Sequence, residues 1–315
     1  MGIRSDLFTV YLYNINLADS GAEKHVRKII DNGKFTFENE EYVVIQNSKP
    51  SHETKTDFYI LAKKSTNEET REFKISYKKP DFSFVENKVK PHRISFIYQG
   101  NWKKILLNQM NQIKSKFNDQ TLIDFSNQTI KLGWRYEIEQ SNAPGIGNRT
   151  LSQEIKENIS SQVLWGKGCS DVMRDALVDG KQIQNSGIPD YILIKSPKKI
   201  KVPNDVFSDL VDIKEYANAN KKMRAGFITQ NYRWNDESSW KTEGFSRSFT
   251  AWVKWSVKNK KLIGKIILDK PFEKTAGDVI ENLNNCFDQM DIPYASNFSF
   301  ESLKGRIGKN VVTRL

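Results

Sequence analysis

The stretch from Thr54 to Lys79, the Asp57 hairpin, constrains the fold more than any other part of the sequence. It predicts two short strands joined by a four-residue polar turn, with apolar residues on one face of the hairpin. In the register that this turn sets, Asp57 lies opposite Lys74. Because side chains alternate between the two faces of a strand, Asp57, Glu72 and Lys74 share the face opposite to the apolar one. The sequence therefore predicts a sheet in which two carboxylates and a lysine lie close together.

Two carboxylates and a lysine in this arrangement are suited to a divalent metal ion. Hard carboxylate oxygens bind Mg²⁺, which retains several of its water molecules. The ion lowers the pKa of a bound water and neutralises the charge of a phosphodiester, while a lysine orients that water or stabilises the developing negative charge. The alternative is an exposed hairpin whose charged side chains contact only solvent. With 28% of all residues charged, an acid and a lysine two residues apart occur by chance.

The net charge of the chain indicates a polyanionic partner. The 315 residues carry a formal charge of +11 at pH 7, and the basic residues are spread along the whole chain rather than collected in a tail. A broad basic surface or cleft is typical of proteins that bind DNA or RNA, and plain solubility is the alternative. With two distant cysteines and three histidines, neither a disulfide framework nor a zinc site is expected.

The Asp57 hairpin resembles the active-site motif of the PD-(D/E)xK nucleases. An aspartate that opens one strand, followed in the next strand by Glu72-Phe73-Lys74, is similar to many type II restriction endonucleases. Thr56 stands where the family name has proline. The resemblance implies a Mg²⁺-dependent endonuclease that cleaves duplex DNA at a specific sequence. It also implies that Asp57 and Glu72 are metal ligands and that Lys74 is the catalytic lysine.

The resemblance further implies an acid on a preceding helix, for which Glu23 is the candidate. Ser20 and Glu23 also fit a capping box, in which the serine accepts a backbone hydrogen bond and the glutamate accepts one in return. Both roles remain open for Glu23.

A rival set of residues supplies the literal Pro-Asp pair. Pro189-Asp190 opens a predicted strand, and Asp212-Ile213-Lys214 follows it. However, the segment from Pro203 to Tyr216 has helical spacing, which turns Asp212 and Lys214 onto different faces. We therefore favour the Asp57 hairpin and keep the Asp190, Asp212 and Lys214 set as the alternative.

The order of the predicted elements indicates an α/β or α+β fold with a mixed central sheet flanked by helices. The expected organisation is a restriction-endonuclease-like core in residues 1–140 and a β-rich DNA-recognition region in residues 141–315, with a boundary soft enough to allow one intertwined domain. Among the individual elements, the sequence predicts a strand at Ile94–Tyr98, a helix at Leu151–Leu164 and a hairpin at Phe249–Leu268.

Basic and aromatic side chains are the predicted DNA contacts, because aromatic rings stack on bases and cations bind phosphates. Trp252 falls on the mixed face of its strand and is the best aromatic candidate. The full set of candidates is Lys78, Arg93, Arg149, Arg233, Trp252 and Lys254.

The resulting prediction is a cytoplasmic type II restriction enzyme that uses Mg²⁺ and binds duplex DNA, with a homodimer as one open assembly. The apolar runs are too short to span a bilayer and the N-terminal sequence has no signal-peptide pattern, so no membrane attachment is expected. Two other classes stay open. One is a non-catalytic DNA- or RNA-binding protein of a phage or mobile element, and the other is an interaction protein that is basic only for solubility.

Overall fold

The computed structural model describes residues 21–51, 54–80, 82, 84–86, 89–140, 150–167, 169–235, 239–242, 244–293 and 298–314. Two residues named above, Ser20 and Arg149, lie outside these ranges. The helices are α1 (Gly21–Ile30), α2 (Pro91–Tyr98), α3 (Trp102–Gln112), α4 (Lys114–Asn118), α5 (Ser160–Val163), α6 (Asp171–Arg174), α7 (Asn204–Phe207), α8 (Ile213–Ala219) and α9 (Ala276–Gln289). The strands are β1 (Lys34–Phe37), β2 (Glu40–Ser48), β3 (Phe58–Lys64), β4 (Thr70–Lys78), β5 (Phe84–Glu86), β6 (Ile123–Asp124), β7 (Thr129–Gln140), β8 (Thr150–Ile155), β9 (Leu177–Val178), β10 (Lys181–Gln182), β11 (Tyr191–Ile194), β12 (Val211–Asp212), β13 (Met223–Asn235), β14 (Ser239–Lys241), β15 (Ala251–Lys258), β16 (Lys261–Ile267) and β17 (Thr313–Arg314).

The chain divides into two compact units, each made of two separate segments. Unit 1 contains Met1–Phe82 and Asn158–Lys221, and unit 2 contains Ser83–Glu157 and Lys222–Leu315. The boundary expected between residues 140 and 141 falls inside unit 2. The reason is that β7 and β8, on either side of that boundary, both pair with β13.

Unit 1 is built on a six-stranded mixed sheet, which confirms the expected mixed α/β class. The strand order is β1-β2-β3-β4-β11-β12. Every pairing is antiparallel except the one between β4 and β11, which is parallel. One face of this sheet carries the core, where Val26 and Ile30 of α1 pack with Phe73 and Ile75 of β4. The apolar face predicted for the Asp57 hairpin is therefore the buried one.

The register of the Asp57 hairpin differs by two residues from the prediction. Tyr59 lies opposite Lys74, and Leu61 lies opposite Glu72. The loop is longer than a four-residue turn at 64–67, because the Lys64 amide donates to the Glu69 carbonyl over 2.9 Å. A shift of two residues preserves which face each side chain occupies but changes its cross-strand neighbours.

Unit 2 is built on a nine-stranded sheet in which the long strands β7 and β13 pair along most of their length. Its core includes Trp134 and Phe227, and the ring of Phe117 packs edge-on against both. The predicted hairpin at Phe249–Leu268 is confirmed as β15 and β16. Asn259 and Lys260 form its turn with φ of 52° and 55°, as a two-residue type I′ connection requires.

Two of the predicted elements are wrong. Ile94–Tyr98 is the body of helix α2, because Pro91 occupies the first turn and the buried Ile94, Ile97 and Tyr98 follow helical spacing. Leu151–Leu164 is strand β8 followed by the short helix α5, because β8 is held by backbone pairing to β13.

A third element is divided rather than continuous. The helix expected from Pro203 to Tyr216 is split into α7 and α8 by β12, which pairs with β11. Among the described residues, no helix is long and apolar enough to cross a membrane.

Candidate active site

Asp190 and Lys74 are neighbours across the parallel pair of strands β11 and β4. Tyr191 is in register with Ile75, and the Asp190 amide donates to the Lys74 carbonyl over 2.8 Å. This register places the Asp190 carboxylate beside the Lys74 ammonium, with 3.3 Å between Asp190 Oδ2 and Lys74 Nζ. Lys74 Nζ also donates to the carbonyl of Asn185 over 3.4 Å. The parallel pairing thus positions an acid and a lysine that are far apart in sequence.

Glu72 belongs to the same group of charges. It lies two residues before Lys74 on β4, so its side chain projects from the same face. The hydroxyl of the buried Tyr59 donates to Glu72 Oε1 over 2.7 Å, and burial together with this carboxylate raises the pKa of Tyr59. Burial also raises the pKa of Asp190, with Lys74 opposing the shift and Glu72 adding to it. We refer to Glu72, Lys74 and Asp190 as the acid–lysine cluster.

Asp57 lies at a different position on this face. Its Oδ2 accepts a hydrogen bond from the Tyr77 amide over 2.7 Å and lies 3.6 Å from Lys78 Nζ. Ser76 Oγ is 3.5 Å from the same oxygen, so Asp57 stands beside Ser76 rather than beside Lys74.

The expected Asp57 and Glu72 pair is therefore separated. Ser76 and Glu72 are four residues apart on β4, which corresponds to about 13 Å along a strand. A Mg²⁺ ion is held at about 2.1 Å from each oxygen ligand. In this register the two carboxylates are on the same face but are not cross-strand neighbours, so the Mg²⁺ ion shared by Asp57 and Glu72 stays a prediction.

The rival set of residues is also divided. Asp212 caps helix α8, where its Oδ1 accepts hydrogen bonds from the amides of Lys214 and Glu215 over 2.8 and 3.1 Å. Lys214 Nζ lies 5.2 Å from the ring centre of Trp165, and its charge lowers the pKa of Asp190 against the larger effect of burial. The carboxylate of Asp212 is thus engaged in capping α8, whereas the carboxylate of Asp190 lies beside Lys74 and interacts with Glu72.

Glu23 lies on α1, which packs on the apolar face of the unit 1 sheet. Its Oε2 is 2.8 Å from Lys49 Nζ. Its charge also adds to the burial that raises the pKa of Tyr77, whose side chain is on the apolar face. The sheet therefore separates Glu23 from the acid–lysine cluster. Its expected capping partner, Ser20, lies outside the described residues.

The acid–lysine cluster supplies two carboxylates for a cation. Within the described ranges, no group of three or more His, Cys, Asp or Glu side chains is placed to hold a metal ion. Two carboxylates nevertheless fit Mg²⁺, which proteins bind through one or two carboxylates together with waters and substrate phosphates. The half-buried Asp190 and the exposed Glu72 are both accessible for this purpose.

The predicted DNA contacts have different environments. Arg93 is buried, and its Nε donates to Glu86 Oε1 over 3.0 Å, so the structure places it in an internal ion pair rather than at the surface. Lys78 contacts Asp57. Trp252 is buried too, but together with the exposed Lys254 it lines a cavity of about 560 Å³ in unit 2.

Arg233 lines a second cavity of unit 2, of about 580 Å³, in which cationic side chains also outnumber acids. The predicted DNA contacts include Arg233 but none of the other cations of this cavity, because strands and loops that are distant in sequence supply them. We refer to the cavity as the basic pocket; its cationic side chains are Lys131, Arg135, Arg233, Arg247 and Arg314.

Comparisons with known proteins do not identify the chain: no protein family, curated protein or solved structure matches it.

Proposed function

We propose that this protein is a Mg²⁺-dependent endonuclease that hydrolyses phosphodiester bonds of duplex DNA at a specific sequence, as a type II restriction enzyme does. The observation that supports this proposal is the contact between Asp190 and Lys74, which joins a Pro-Asp strand start to Glu72-Phe73-Lys74 on the neighbouring strand. This contact brings together two segments that are distant in sequence, and the resulting combination of acids and a lysine supports a site of the kind named in the resemblance. The proposal includes a cytoplasmic location and, as one assembly, a homodimer.

Each residue of the acid–lysine cluster has a defined role in this proposal. Glu72 and Asp190 would hold the ion, which supplies charge neutralisation and lowers the pKa of a bound water. Lys74 donates a hydrogen bond to the attacking water or to a non-bridging phosphate oxygen, where negative charge develops. Tyr59 fixes the Glu72 carboxylate, and the Asn185 carbonyl limits the positions that Lys74 can adopt.

Asp57 has an indirect role in this proposal. It binds the backbone of β4 at Tyr77 and so fixes the end of the strand that carries Glu72 and Lys74. It is a positioning residue, whereas the resemblance alone implies a metal ligand.

The test is to incubate plasmid and phage DNA with the purified protein, once with millimolar Mg²⁺ and once with EDTA. The ends of any cleaved DNA are then sequenced. The proposal predicts discrete ends at one short sequence, and loss of cleavage in Lys74→Ala. Glu68→Gln is the matched control, because Glu68 is an exposed acid of the same hairpin that contacts only Lys63 among the described residues. Full cleavage by Lys74→Ala would show that the site assignment is wrong.

A second candidate function is a nucleic-acid-binding protein without catalysis. The basic pocket of unit 2 supports it, because five cationic side chains around one cavity suit a polyanion whether or not unit 1 cleaves it. Salt-sensitive DNA binding combined with intact DNA under all metal conditions would favour this function over the nuclease.

A further inference from the structure

The basic pocket concentrates positive charge at one place in unit 2. It contains five cationic side chains and two acids, Asp119 and Asp124. The carboxylate of Asp124 accepts hydrogen bonds from Ser126 Oγ and from the amide of Asn127 over 2.7 and 2.9 Å. Cationic side chains outnumber the acids in the lining, and the volume of the cavity lies within the range of small-ligand sites.

Lys131 is the innermost cation of the pocket. It is only 8% exposed, and its Nζ donates to Gln120 Oε1 over 3.0 Å. The ammonium also lies 5.3 Å from the ring centre of Trp134. Among the described residues, it forms no ion pair with a carboxylate. Asp124 offsets only part of the cost of burying this ammonium, so an anion in the cavity would stabilise it.

Arg247 lines the pocket and packs against the turn at Gly244. Gly244 has a φ of +67°, and a Cβ added to it would lie 2.3 Å from Arg247 Nε. The positive φ favours glycine at this position, the Arg247 guanidinium packs against it, and the Arg247 amide donates to the Gly244 carbonyl over 3.0 Å. The turn thus places Arg247 in contact with Gly244 at the edge of the pocket.

The side chains that line the pocket range from buried to exposed, as in a concave binding site. Lys131 and Gln230 are buried at its floor, Arg135 and Arg247 are half-buried, and Arg233 is exposed at its rim. Guanidinium groups present planar pairs of N–H donors that match two oxygens of a phosphate. The side-chain amide of Gln230 donates to Thr242 Oγ1 over 3.2 Å, so neutral polar groups also line the pocket.

We propose that the basic pocket of unit 2 is a phosphate-binding site that takes the backbone phosphates of a nucleic-acid strand. The proposal deepens the proposed function, because it rests on DNA as the ligand and names the part of the chain that holds its backbone. Arg233 and Arg247 contact the phosphate at the rim, and Lys131 stabilises its charge from the floor.

The experiment measures binding of a fluorescent 30-base-pair duplex by anisotropy, in EDTA so that cleavage is absent, between 50 and 300 mM NaCl. The Arg233→Gln, Arg247→Gln double variant should bind at least tenfold more weakly, and its slope of log affinity against log salt should be about two units shallower. Lys258→Gln, Lys261→Gln is the matched control, because both lysines are exposed at the tip of the β15–β16 hairpin, away from the pocket. Wild-type affinity and salt slope in the Arg233→Gln, Arg247→Gln variant would overturn the proposal.

A second measurement identifies the source of the phosphate and guards against misfolding. Thermal unfolding is followed with inorganic phosphate and with a chloride control at equal ionic strength. If phosphate raises the Tm of the wild type but not of the double variant, the pocket also accepts the free ion. If only DNA binding is lost, it requires the strand. Equal Tm values of the two proteins without ligand show that the double variant is folded.

Failure of this inference is distinguishable from failure of the proposed function. DNA binding that depends on the pocket, without cleavage in Mg²⁺, supports the pocket and contradicts the nuclease. Cleavage with DNA binding that is unchanged in the double variant supports the nuclease and contradicts the pocket.

Discussion

Lys74 Nζ lies 3.3 Å from Asp190 Oδ2, and Asp190 directly precedes β11, which pairs in parallel with the strand β4 that carries Lys74. Unit 1 thereby brings together Pro189-Asp190 and Glu72-Phe73-Lys74, which are far apart in sequence. The Lys74 side chain is 12% exposed and that of Asp190 is 46% exposed. The lysine side chain is therefore largely buried, whereas the carboxylate of Asp190 is accessible to a ligand.

The first prediction concerns the strength of this contact. In urea unfolding of Asp190→Asn, Lys74→Met and the double variant, we expect a coupling free energy of about 1 kcal/mol, because solvent screens a pair in which one partner is half exposed. The summed losses of unfolding free energy in the two single variants should exceed the loss in the double variant. Strictly additive effects would contradict the contact.

The second prediction concerns Glu139 in unit 2, which is completely buried and whose carboxylate oxygens accept no hydrogen bond among the described residues. Burial raises the pKa of Glu139 to about 7, with Arg224 opposing the shift and Glu137 adding to it. The folded protein therefore binds this proton more tightly than the unfolded chain. Stability should fall as the pH rises from about 4.5 to about 7.

The corresponding variant is Glu139→Gln, which keeps the shape of the side chain and removes the charge. At pH 8 it should be more stable than the wild type by about 1–3 kcal/mol, and the difference should disappear near pH 4.5. Glu154→Gln, an exposed acid on β8, is the control. Denaturant unfolding at several pH values measures the free energy of unfolding of both proteins. An identical dependence of this free energy on pH in Glu139→Gln and the wild type would contradict the prediction.

The third prediction follows from Lys131, whose pKa is lowered to about 8 by burial, against a smaller opposing effect of Asp124. The folded protein then holds this proton less tightly than the unfolded chain, so stability should rise as the pH rises from about 8 to about 10.5. Phosphate binding should weaken over the same change, because the ammonium loses its charge. The groups that face Lys131 are Asp119, Gln120, Asp124, Trp134, Arg135, Arg233, Arg247 and Arg314.

The measurement is DNA affinity in EDTA at pH 7 and pH 9 for the wild type and for Lys131→Arg. The arginine keeps its charge at both pH values, as the other guanidinium groups of the pocket do. We expect a several-fold loss of affinity between pH 7 and pH 9 in the wild type and a much smaller loss in Lys131→Arg. An equal loss in both proteins would mean that another group titrates.

The fourth prediction separates a structural arginine from a DNA contact. Arg93→Ala should lower the free energy of unfolding by about 3–5 kcal/mol, because it removes the guanidinium bound to the largely buried Glu86. DNA affinity of the folded protein should be unchanged. A variant of normal stability with weakened DNA binding would instead support the role that the sequence predicted for Arg93.

The sequence predicted local parts of both units because alternation and turn residues determine them. The buried side of the Asp57 hairpin in unit 1 and the β15–β16 hairpin in unit 2 both follow from period-two patterns and turn residues. The exact register did not follow, because it depends on whether the loop closes at Lys64 and Asn67 or at Lys64 and Glu69. That difference separates Asp57 from Glu72.

The candidate site was harder to predict than the strands that carry it. Asp190 was recognisable as a Pro-Asp strand start, but its partner is determined by the parallel pairing of β4 with β11, which nothing local in the sequence encodes. Arg93 was assigned to the surface from its charge alone. Its partner Glu86 and the helical spacing of Ile94 and Ile97 explain its burial.

The most direct test compares two conservative variants, Asp190→Asn and Asp57→Asn, in Mg²⁺-dependent cleavage of the recognised DNA. Asp190→Asn removes a carboxylate of the acid–lysine cluster, whereas Asp57→Asn retains an oxygen that can accept the Tyr77 amide. We predict that Asp190→Asn loses at least a thousandfold in cleavage rate with DNA binding intact, and that Asp57→Asn loses less than tenfold. Full cleavage by Asp190→Asn together with no cleavage by Asp57→Asn would contradict the assignment of the site to Glu72, Lys74 and Asp190.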